Sequence, residues 1–211
     1  MYITAHGGAL RTGRNSKKFF EAMRDYPVDI VEVDVRSGKG GLYISHHKPL
    51  FADGKLSLEF VLKYARERGL MVNCDMKERG LVGKLLELAE SLSAEACVIF
   101  TGRFCESDLP LLDRGRVYLN TGFFKGKCAI EPFDMKRVID GAKNPRVLGV
   151  NLSYRFCSDG FLKKAEECGL KLSVYTVDDP AVIERLMQSV AVDNITTNIP
   201  DQAIKLRGAN A

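Results

Sequence analysis

The stretch Asp29-Ile30-Val31-Glu32-Val33-Asp34-Val35 places two carboxylates, Glu32 and Asp34, one residue apart inside an apolar run. A short apolar run of this kind is typical of a buried strand. Residues i and i+2 of a strand point to the same face, so the two carboxylates would project together. Charge in such surroundings is costly unless it is paired or binds a metal. The stretch therefore predicts a buried strand that carries part of a functional site.

Similar apolar runs recur along the whole chain, and helical patterns separate them. The candidate strands are 2–5, 29–35, 70–75, 95–100, 115–119, 146–151, 170–176 and 193–196. The candidate helices are 16–23, 57–67, 81–92, 134–139, 160–168 and 179–187. Apolar strands that alternate with helices favour an α/β fold with a parallel sheet, and eight such units are what a closed (β/α)₈ TIM barrel needs. Because no linker or shift in composition indicates a second domain, we expect a single barrel over residues 1–211.

Composition narrows the classes of protein to consider. The 211 residues carry a formal net charge of +4, a weak bias towards anionic ligands, and no dense Lys/Arg tract indicates a nucleic-acid partner. No apolar run is long enough to span a bilayer, and the N-terminus runs straight into a strand rather than a signal core. We therefore expect a cytoplasmic protein without integral membrane contact, unless a signal segment was removed. The six cysteines match no zinc template and are expected to be buried, reduced thiols.

The three histidines lie in two short segments of the sequence, and each segment directly follows a predicted strand. His6 follows the first strand, and His46 and His47 follow the run at 42–45. Two imidazoles beside a carboxylate pair can act as general base and general acid, so we predict these roles for His6 and His46. On an extended chain His47 would face the other way and would lie at the rim of the site.

A third acidic residue, Asp75, ends another predicted strand. Two like charges at about 4 Å cost about 4 kcal/mol at an effective dielectric of about 20, and a divalent cation removes that cost. Ligation by oxygen alone suits Mg²⁺ or Ca²⁺, so we predict that Glu32, Asp34 and Asp75 bind one of these ions. Lys77 shares the face of Asp75 if the strand persists, and it could neutralise a phosphate oxygen. The alternative is that Glu32 and Asp34 form ion pairs with Arg36, Lys77 or another cation.

Seven short motifs run in order from Tyr2 to about Ala203 and resemble those of the glycerophosphodiester phosphodiesterases. The family patterns are His-Arg-Gly, Pro-Glu-Asn-Thr, Glu-x-Asp-Val, His-Asp-x-x-Leu, Asn-x-Glu-x-Lys, Trp-Thr-Val-Asn/Asp and Gly-Val-Asp-x-Ile-x-Thr-Asp-x-Pro. The matching stretches are His6-Gly7-Gly8, Gly13-Arg14-Asn15-Ser16, Glu32-Val33-Asp34-Val35, His46-His47-Lys48-Pro49-Leu50, Asn73-Cys74-Asp75-Met76-Lys77, Tyr175-Thr176-Val177-Asp178 and the run 191–200. No single motif is decisive, but the ordered set is specific.

The resemblance implies a TIM barrel and a divalent cation at the matches of Glu32, Asp34 and Asp75. It also implies acid–base roles for His6 and His46. The implied substrate is a small phosphodiester, from which family members release an alcohol and leave glycerol 3-phosphate.

The chain departs from the family in two features that concern the substrate. Gly7 replaces an arginine that contacts phosphate in the family, so Lys77 or a nearby arginine would take its place. The nearby arginines are Arg11, Arg14 and Arg36. The inserted subdomain of the family is absent, since the next helix follows Leu50 within a few residues.

Three further positions differ in residue type: Asp75, Tyr175 and Asn198 replace the usual glutamate, tryptophan and aspartate. Tyr175 would form an apolar wall of the site or belong to the core. Asn198 would orient a phosphate oxygen or cap the following turn. This short form also resembles the sphingomyelinase D type phospholipases, which share the barrel and the two histidines and transfer the phosphate to a neighbouring hydroxyl of the substrate.

The sequence thus favours a metal-dependent phosphodiesterase that acts on a glycerophosphodiester or a lysophospholipid-like relative. The nucleophile is water or the adjacent hydroxyl of the substrate, and the latter would give a cyclic phosphate. One rival is a barrel that binds phosphodiesters without turnover. Gly7 and the missing inserted subdomain favour it, whereas the retained histidines and carboxylates oppose it. Another is a sugar-phosphate isomerase or aldolase. The oligomeric state stays open.

Overall fold

The computed structural model describes residues 1–48, 54–104, 108, 110–112, 116–141, 144 and 146–209. Some of the positions discussed above lie outside these ranges. They are Pro49 and Leu50 of the second histidine motif, Cys105, and residue 115 of the predicted fifth strand.

Nine strands form one sheet in the described part of the chain. Their bounds are β1 Tyr2–Ala5, β2 Ile30–Gly38, β3 Gly41–Ile44, β4 Met71–Met76, β5 Val98–Gly102, β6 Arg116–Asn120, β7 Val147–Ser153, β8 Leu172–Tyr175 and β9 Val192–Thr197. All except β3 pair in parallel, in the order β1-β9-β8-β7-β6-β5-β4-β2, and β1 also pairs with β2. This last pairing closes the sheet, so the predicted (β/α)₈ TIM barrel is confirmed.

Eight α-helices accompany these strands in the described ranges. They are α1 Lys17–Ala22, α2 Leu58–Arg68, α3 Val82–Ser91, α4 Thr121–Phe124, α5 Pro132–Gly141, α6 Asp159–Glu167, α7 Pro180–Met187 and α8 Pro200–Ala209. Six of them match the predicted helices. The sequence did not predict α4, which is too short to show a helical period, or α8, whose fully buried residues are few.

Local sequence explains where several helices begin and end. The side chains of Ser16, Ser57 and Ser158 each accept a hydrogen bond from a backbone N–H three residues on, which caps the following helix. Asp179 caps α7 in the same manner, with Pro180 at the first helical position as expected.

The second strand is longer than predicted, because it forms a hairpin with β3. Val35 pairs with Ile44 and Gly38 with Gly41 in antiparallel register, which extends β2 beyond the barrel. Glu32 and Asp34 therefore lie within β2 rather than at its end. Its pairing with β4 nevertheless stops at Val35, so both carboxylates lie near the carboxyl end of the part of β2 that belongs to the barrel.

The two faces of β2 have different surroundings. Val31, Val33 and Val35 are fully buried in the large core between the barrel and the helices. Ile30 instead packs with Ile99 and Tyr118 in a separate small cluster. Because side chains alternate along a strand, Glu32 and Asp34 share the face of Ile30 and point into the barrel.

Two expectations about the whole chain can be compared with the structure. Of the five described cysteines, all free thiols, only Cys74 and Cys157 are buried, so the expectation of buried thiols holds for these two. Within the described ranges, no helix is both long enough and apolar enough to cross a bilayer.

Candidate active site

Three carboxylates meet at the mouth of the barrel, as the sequence predicted. Parallel pairing sets Asp34 of β2 directly beside Asp75 of β4 and sets Glu32 one pleat deeper. One oxygen from each of the three side chains lies within 4.8 Å of the other two. Glu32 and Asp34 are only 5% and 3% exposed, so their charges are poorly solvated.

Glu32 lies deepest in this acidic cluster. Its Oε2 accepts a hydrogen bond of 2.8 Å from the backbone N–H of Gly7. Burial raises the pKa of the Glu32 carboxyl well above its ordinary value, and the negative charges of Asp34 and Asp75 raise it further. The cluster therefore carries more negative charge than its surroundings neutralise.

Asp34 is better satisfied than Glu32. Its Oδ1 lies 2.8 Å from Lys77 Nζ, and its Oδ2 accepts a 2.7 Å hydrogen bond from Asn15 Nδ2. Burial acts to raise the pKa of the Asp34 carboxyl, but Lys77, Asn15 and His46 together hold this pKa below its ordinary value. Asp34 is thus an anion held in place by several donors.

Asn15 is a site residue that the sequence reasoning did not single out. Its Oδ1 also accepts a 3.1 Å hydrogen bond from the backbone N–H of Asp34, so its amide bonds both the main chain and the side chain of Asp34. Asn15 has a φ of 51°, in the left-handed region that asparagine tolerates better than most residues. The sequence signal that could have identified Asn15 was its position in the second of the seven motifs, Gly13-Arg14-Asn15-Ser16.

Lys77 bridges two of the carboxylates. Its Nζ contacts both Asp34 and Asp75, and these two anions raise the pKa of the lysine against the opposing effect of burial. Lys77 therefore forms ion pairs with the carboxylates, as the alternative to metal binding expected. Arg36 does not pair with them, because it pairs with Glu78 at 3.0 Å.

Hydrogen bonds fix the tautomer of His6. The carboxylate of Asp178 only accepts, so the Asn198 atom 2.8 Å from Asp178 Oδ2 is the amide nitrogen. The Oδ1 of Asn198 therefore faces His6 Nδ1, at 2.8 Å, and accepts a hydrogen bond from the Nδ1–H of the ring. The other ring nitrogen, Nε2, lies 3.9 Å from Glu32 Oε2 and is left to exchange protons. Asn198 thus contacts a catalytic candidate, the ring of His6.

His46 follows the hairpin strand β3 rather than a barrel strand. Its Nδ1 lies 3.3 Å from both carboxylate oxygens of Asp34. The chain bends at His46 and His47, so the two rings meet edge to face with centroids 4.6 Å apart. The expectation that His47 faces the other way assumed an extended chain and is wrong, although His47 is exposed like a rim residue.

A cavity of about 880 Å³ opens beside the cluster. His6, Glu32, Asp75, Lys77 and Tyr175 all line it, whereas Asp34, His46 and Asn198 are not among the lining residues. Tyr175 is half-buried, so it forms part of the wall. Cationic side chains are frequent in the lining: Arg36, Lys48, Lys77, Arg79 and Arg103. This charge suits an anionic ligand.

The structure gives a physical reason for the glycine that replaces the family's arginine. A Cβ atom on Gly7 would lie 2.8 Å from the backbone oxygen of Glu32 and 3.0 Å from Glu32 Oε2. Of the cations suggested as a replacement, Lys77 and Arg36 line the cavity, whereas Arg11 and Arg14 do not.

Arg79 and Arg103 are cavity residues that the sequence reasoning missed. Each is exposed and follows a barrel strand, β4 and β5 respectively. Their position after two neighbouring strands was a usable signal, because the carboxyl ends of parallel strands meet at one rim.

The donor set fits a divalent cation. Three carboxylates converge, all offering oxygen, and one lysine ammonium leaves most of their charge uncompensated. Magnesium and calcium both favour such ligands.

Known proteins resemble this chain in fold rather than in overall sequence. No protein-family model and no curated protein matches this sequence. Solved structures do match over nearly the whole chain. The glycerophosphodiester phosphodiesterase from Parabacteroides distasonis ATCC 8503 is 17% identical, with a TM-score of 0.76, over 100% of this chain and 98% of its own. That from Agrobacterium tumefaciens str. C58 is 18% identical, with a TM-score of 0.72, over 97% and 99%.

A third match was solved with a ligand. It is an Oleispira antarctica phosphodiesterase in complex with the product sn-glycerol-3-phosphate, 15% identical with a TM-score of 0.75, over 99% of this chain and 97% of its own. These likenesses agree with the ordered motifs of the sequence. The chain therefore resembles the glycerophosphodiester phosphodiesterases in its motifs and has their fold.

Proposed function

We propose that this protein is a metal-dependent phosphodiesterase that cleaves a glycerophosphodiester into an alcohol and glycerol 3-phosphate. The observation that carries the proposal is the acidic cluster of Glu32, Asp34 and Asp75 beside the ring of His6, at the mouth of one cavity. The fold and the glycerol 3-phosphate complex of a structural neighbour support it. Residues 1–211 would form a single phosphodiesterase barrel that acts in the cytoplasm, in lipid metabolism.

The acidic cluster would hold Mg²⁺ or Ca²⁺ through Glu32, Asp34 and Asp75. When bound, the ion supplies positive charge that offsets the negative charge developing on the phosphate oxygens. Asn15 and Gly7 keep two of the carboxylates oriented through their hydrogen bonds.

His6 and His46 would move the protons. His6 carries its proton on Nδ1, so its Nε2 is free to accept one from the attacking nucleophile. His46 would protonate the leaving alkoxide, with its Nδ1 held against Asp34. Proton transfer by two positioned groups is worth about a hundredfold or more in rate for each of them.

Lys77 and Tyr175 would receive the substrate. The Lys77 ammonium already lies among the carboxylates, and it can neutralise a phosphate oxygen as a point charge. Tyr175 would provide a wall for the organic part of the diester. Asn198 would act on the phosphate only through His6, because its amide oxygen is bonded to His6 and its amide nitrogen to Asp178.

Hydrolysis can be measured directly on glycerophosphocholine and glycerophosphoethanolamine, with Mg²⁺, Ca²⁺ or EDTA added. We expect release of the alcohol with a metal present, no release in EDTA, and loss of release in His6→Ala. Gln202→Ala, on an exposed position of α8, is the control that should behave like the unmodified protein. Phosphorus NMR separates the products, because hydrolysis gives glycerol 3-phosphate and intramolecular transfer gives a cyclic phosphate.

A binding protein without turnover is the second candidate, and the absence of an arginine side chain at Gly7 favours it. Saturable binding of glycerophosphocholine without release of choline, in every metal tested, would support this candidate and contradict the enzyme.

A further inference from the structure

The segment that carries His46 lies where the hairpin of β2 and β3 ends. A backbone hydrogen bond of 2.8 Å from the N–H of Ser45 to the carbonyl of Asp34 continues the pairing one residue past β3. The chain then bends at His46 and His47, which belong to no strand. Strand pairing therefore does not fix the main chain that carries the imidazole of His46.

The side chain of Arg36 bonds the main chain of this segment instead. Its Nε donates to the carbonyl of Ser45 at 3.0 Å, and its Nη2 donates to the carbonyl of His46 at 2.9 Å. Neither carbonyl has another donor among the residues that the structure describes. A planar guanidinium that donates to two successive carbonyls fixes their relative orientation, which the single ammonium of a lysine cannot do.

Glu78 holds the guanidinium of Arg36 from another side. Its Oε1 accepts a 3.0 Å hydrogen bond from Arg36 Nη1, and its Oε2 accepts a 3.3 Å hydrogen bond from the backbone N–H of Ser37. Glu78 follows the end of β4 by two residues, so this ion pair joins the rim of β4 to the hairpin. Each of the three guanidinium nitrogens thus has an acceptor within the protein, and Arg36 connects these elements rather than offering a free charge to the cavity.

The imidazole of His46 has few contacts of its own that could hold it. Its side chain is 34% exposed, and its ring touches the carboxylate of Asp34 and the edge of the His47 ring. The distance of 3.3 Å from Nδ1 to either oxygen of Asp34 is long for a hydrogen bond of this kind. The position of the ring therefore depends on the main chain that Arg36 holds.

We propose that Arg36 is a positioning residue for His46. By holding the carbonyls of Ser45 and His46, it places the imidazole where it can protonate the leaving alkoxide. The step it supports is the transfer of a proton from the imidazolium to the alkoxide oxygen as the P–O bond breaks and leaves its electron pair on that oxygen. This inference rests on the proposed function for the role of His46.

The test compares two leaving groups, of which only one needs a proton. Choline leaves glycerophosphocholine as a strongly basic alkoxide, whereas p-nitrophenolate leaves bis(p-nitrophenyl) phosphate as a stable anion. Arg36→Lys keeps the charge and loses the planar fork. We expect it to lower kcat on glycerophosphocholine about a hundredfold more than kcat on bis(p-nitrophenyl) phosphate. Arg137→Lys, on an exposed position of α5, is the matched control and should change neither.

A double variant shows whether Arg36 acts through His46. His46→Ala should distinguish the two substrates in the same way, and Arg36→Lys added to it should slow the reaction no further, because residues that act as a unit are not additive. Equal loss on both substrates would indicate a contact with the phosphate and would overturn the proposal, as would additive effects. Thermal unfolding shows whether Arg36→Lys folds. If it does not, Glu78→Gln removes the charge that orients the guanidinium and should show the same dependence on the leaving group.

A measurement that needs no turnover separates this proposal from the proposed function. If the unmodified protein hydrolyses neither substrate in any metal, the enzyme is contradicted, and the link between Arg36 and His46 is still open to measurement. NMR relaxation of isotope-labelled histidine rings should show a more mobile His46 ring in Arg36→Lys than in Arg137→Lys. An equally rigid His46 ring in the two variants would overturn the proposal, with or without activity.

Discussion

Asn198 shows how one side chain can set the chemistry of another. Its amide nitrogen donates to Asp178 and its amide oxygen accepts from His6, so the chain of two hydrogen bonds fixes both the rotamer and the tautomer of the histidine. Its backbone N–H also donates to Asp178 at 2.7 Å, which anchors the residue. Asn198 is therefore a positioning residue for His6.

We predict that Asn198→Leu lowers kcat by about a hundredfold and leaves KM nearly unchanged, because the imidazole loses its orientation while the substrate keeps its contacts. Steady-state kinetics on glycerophosphocholine provides the measurement, with Gln202→Ala as the matched control. A rise in KM at constant kcat would instead indicate that Asn198 contacts the phosphate.

Lys77 is the second residue whose removal has a defined physical consequence. It supplies the nearest positive charge to Asp34 and Asp75, whose side chains are 4% and 24% exposed. Removal of one partner from a buried ion pair leaves charge without compensation.

We predict that Lys77→Met lowers the free energy of unfolding by about 3 kcal/mol in EDTA, because the carboxylates then repel one another. Added Ca²⁺ should restore more stability to this variant than to the unmodified protein. Urea unfolding measures both effects, and Lys163→Met, on an exposed position of α6, is the control. An unchanged unfolding curve in EDTA would show that the cluster does not need the lysine.

At the scale of elements, β7 lies close to the backbone of Lys171, the residue before β8, at Gly149. Its register with β6 shifts between Val117 and Tyr118, where Tyr118 pairs with Gly149. A Cβ atom on Gly149 would lie 2.7 Å from the carbonyl carbon of Lys171 and would overlap its oxygen. The strand therefore depends on a glycine at this position.

We predict that Gly149→Ala destabilises the protein by about 3 kcal/mol, because backbone cannot move aside as a flexible side chain can. Gly160→Ala is the contrasting control, since a Cβ atom there meets nothing within 4 Å inside α6. The control should gain up to about 1 kcal/mol. Equal effects of the two substitutions on the urea midpoint would contradict the close approach.

At the scale of the whole molecule, closure of the barrel assembles the site. His6 and Asn198 are 192 residues apart in sequence and meet because β1 pairs with β9. Glu32 meets Asp75 because β2 pairs with β4, and it meets Gly7 beside β1. A ligand that joins these strands should therefore stabilise the entire fold.

We predict that Mg²⁺ or Ca²⁺ raises the melting temperature, because binding to the folded state alone adds about 2.7 kcal/mol at a concentration of about 100 times Kd. Glu32→Gln should remove most of this increase, since it deletes one charged ligand. Glu167→Gln, on an exposed position of α6, should keep the increase in full. Differential scanning calorimetry in EDTA and in each metal checks the prediction, and an equal increase in both variants would place the ion elsewhere.

The sequence determined the elements of the barrel and most of the acidic and imidazole side chains of the candidate site. Apolar periodicity is a local property, and Glu32 and Asp34 share a face through strand geometry alone. Only the tertiary structure decided the partners. Strand pairing extended the predicted strand 29–35 into a hairpin with β3 and set Lys77 between two carboxylates. It also placed Asn198 on His6, because hydrogen bonds between residues distant in sequence depend on register and closure, which no local pattern encodes.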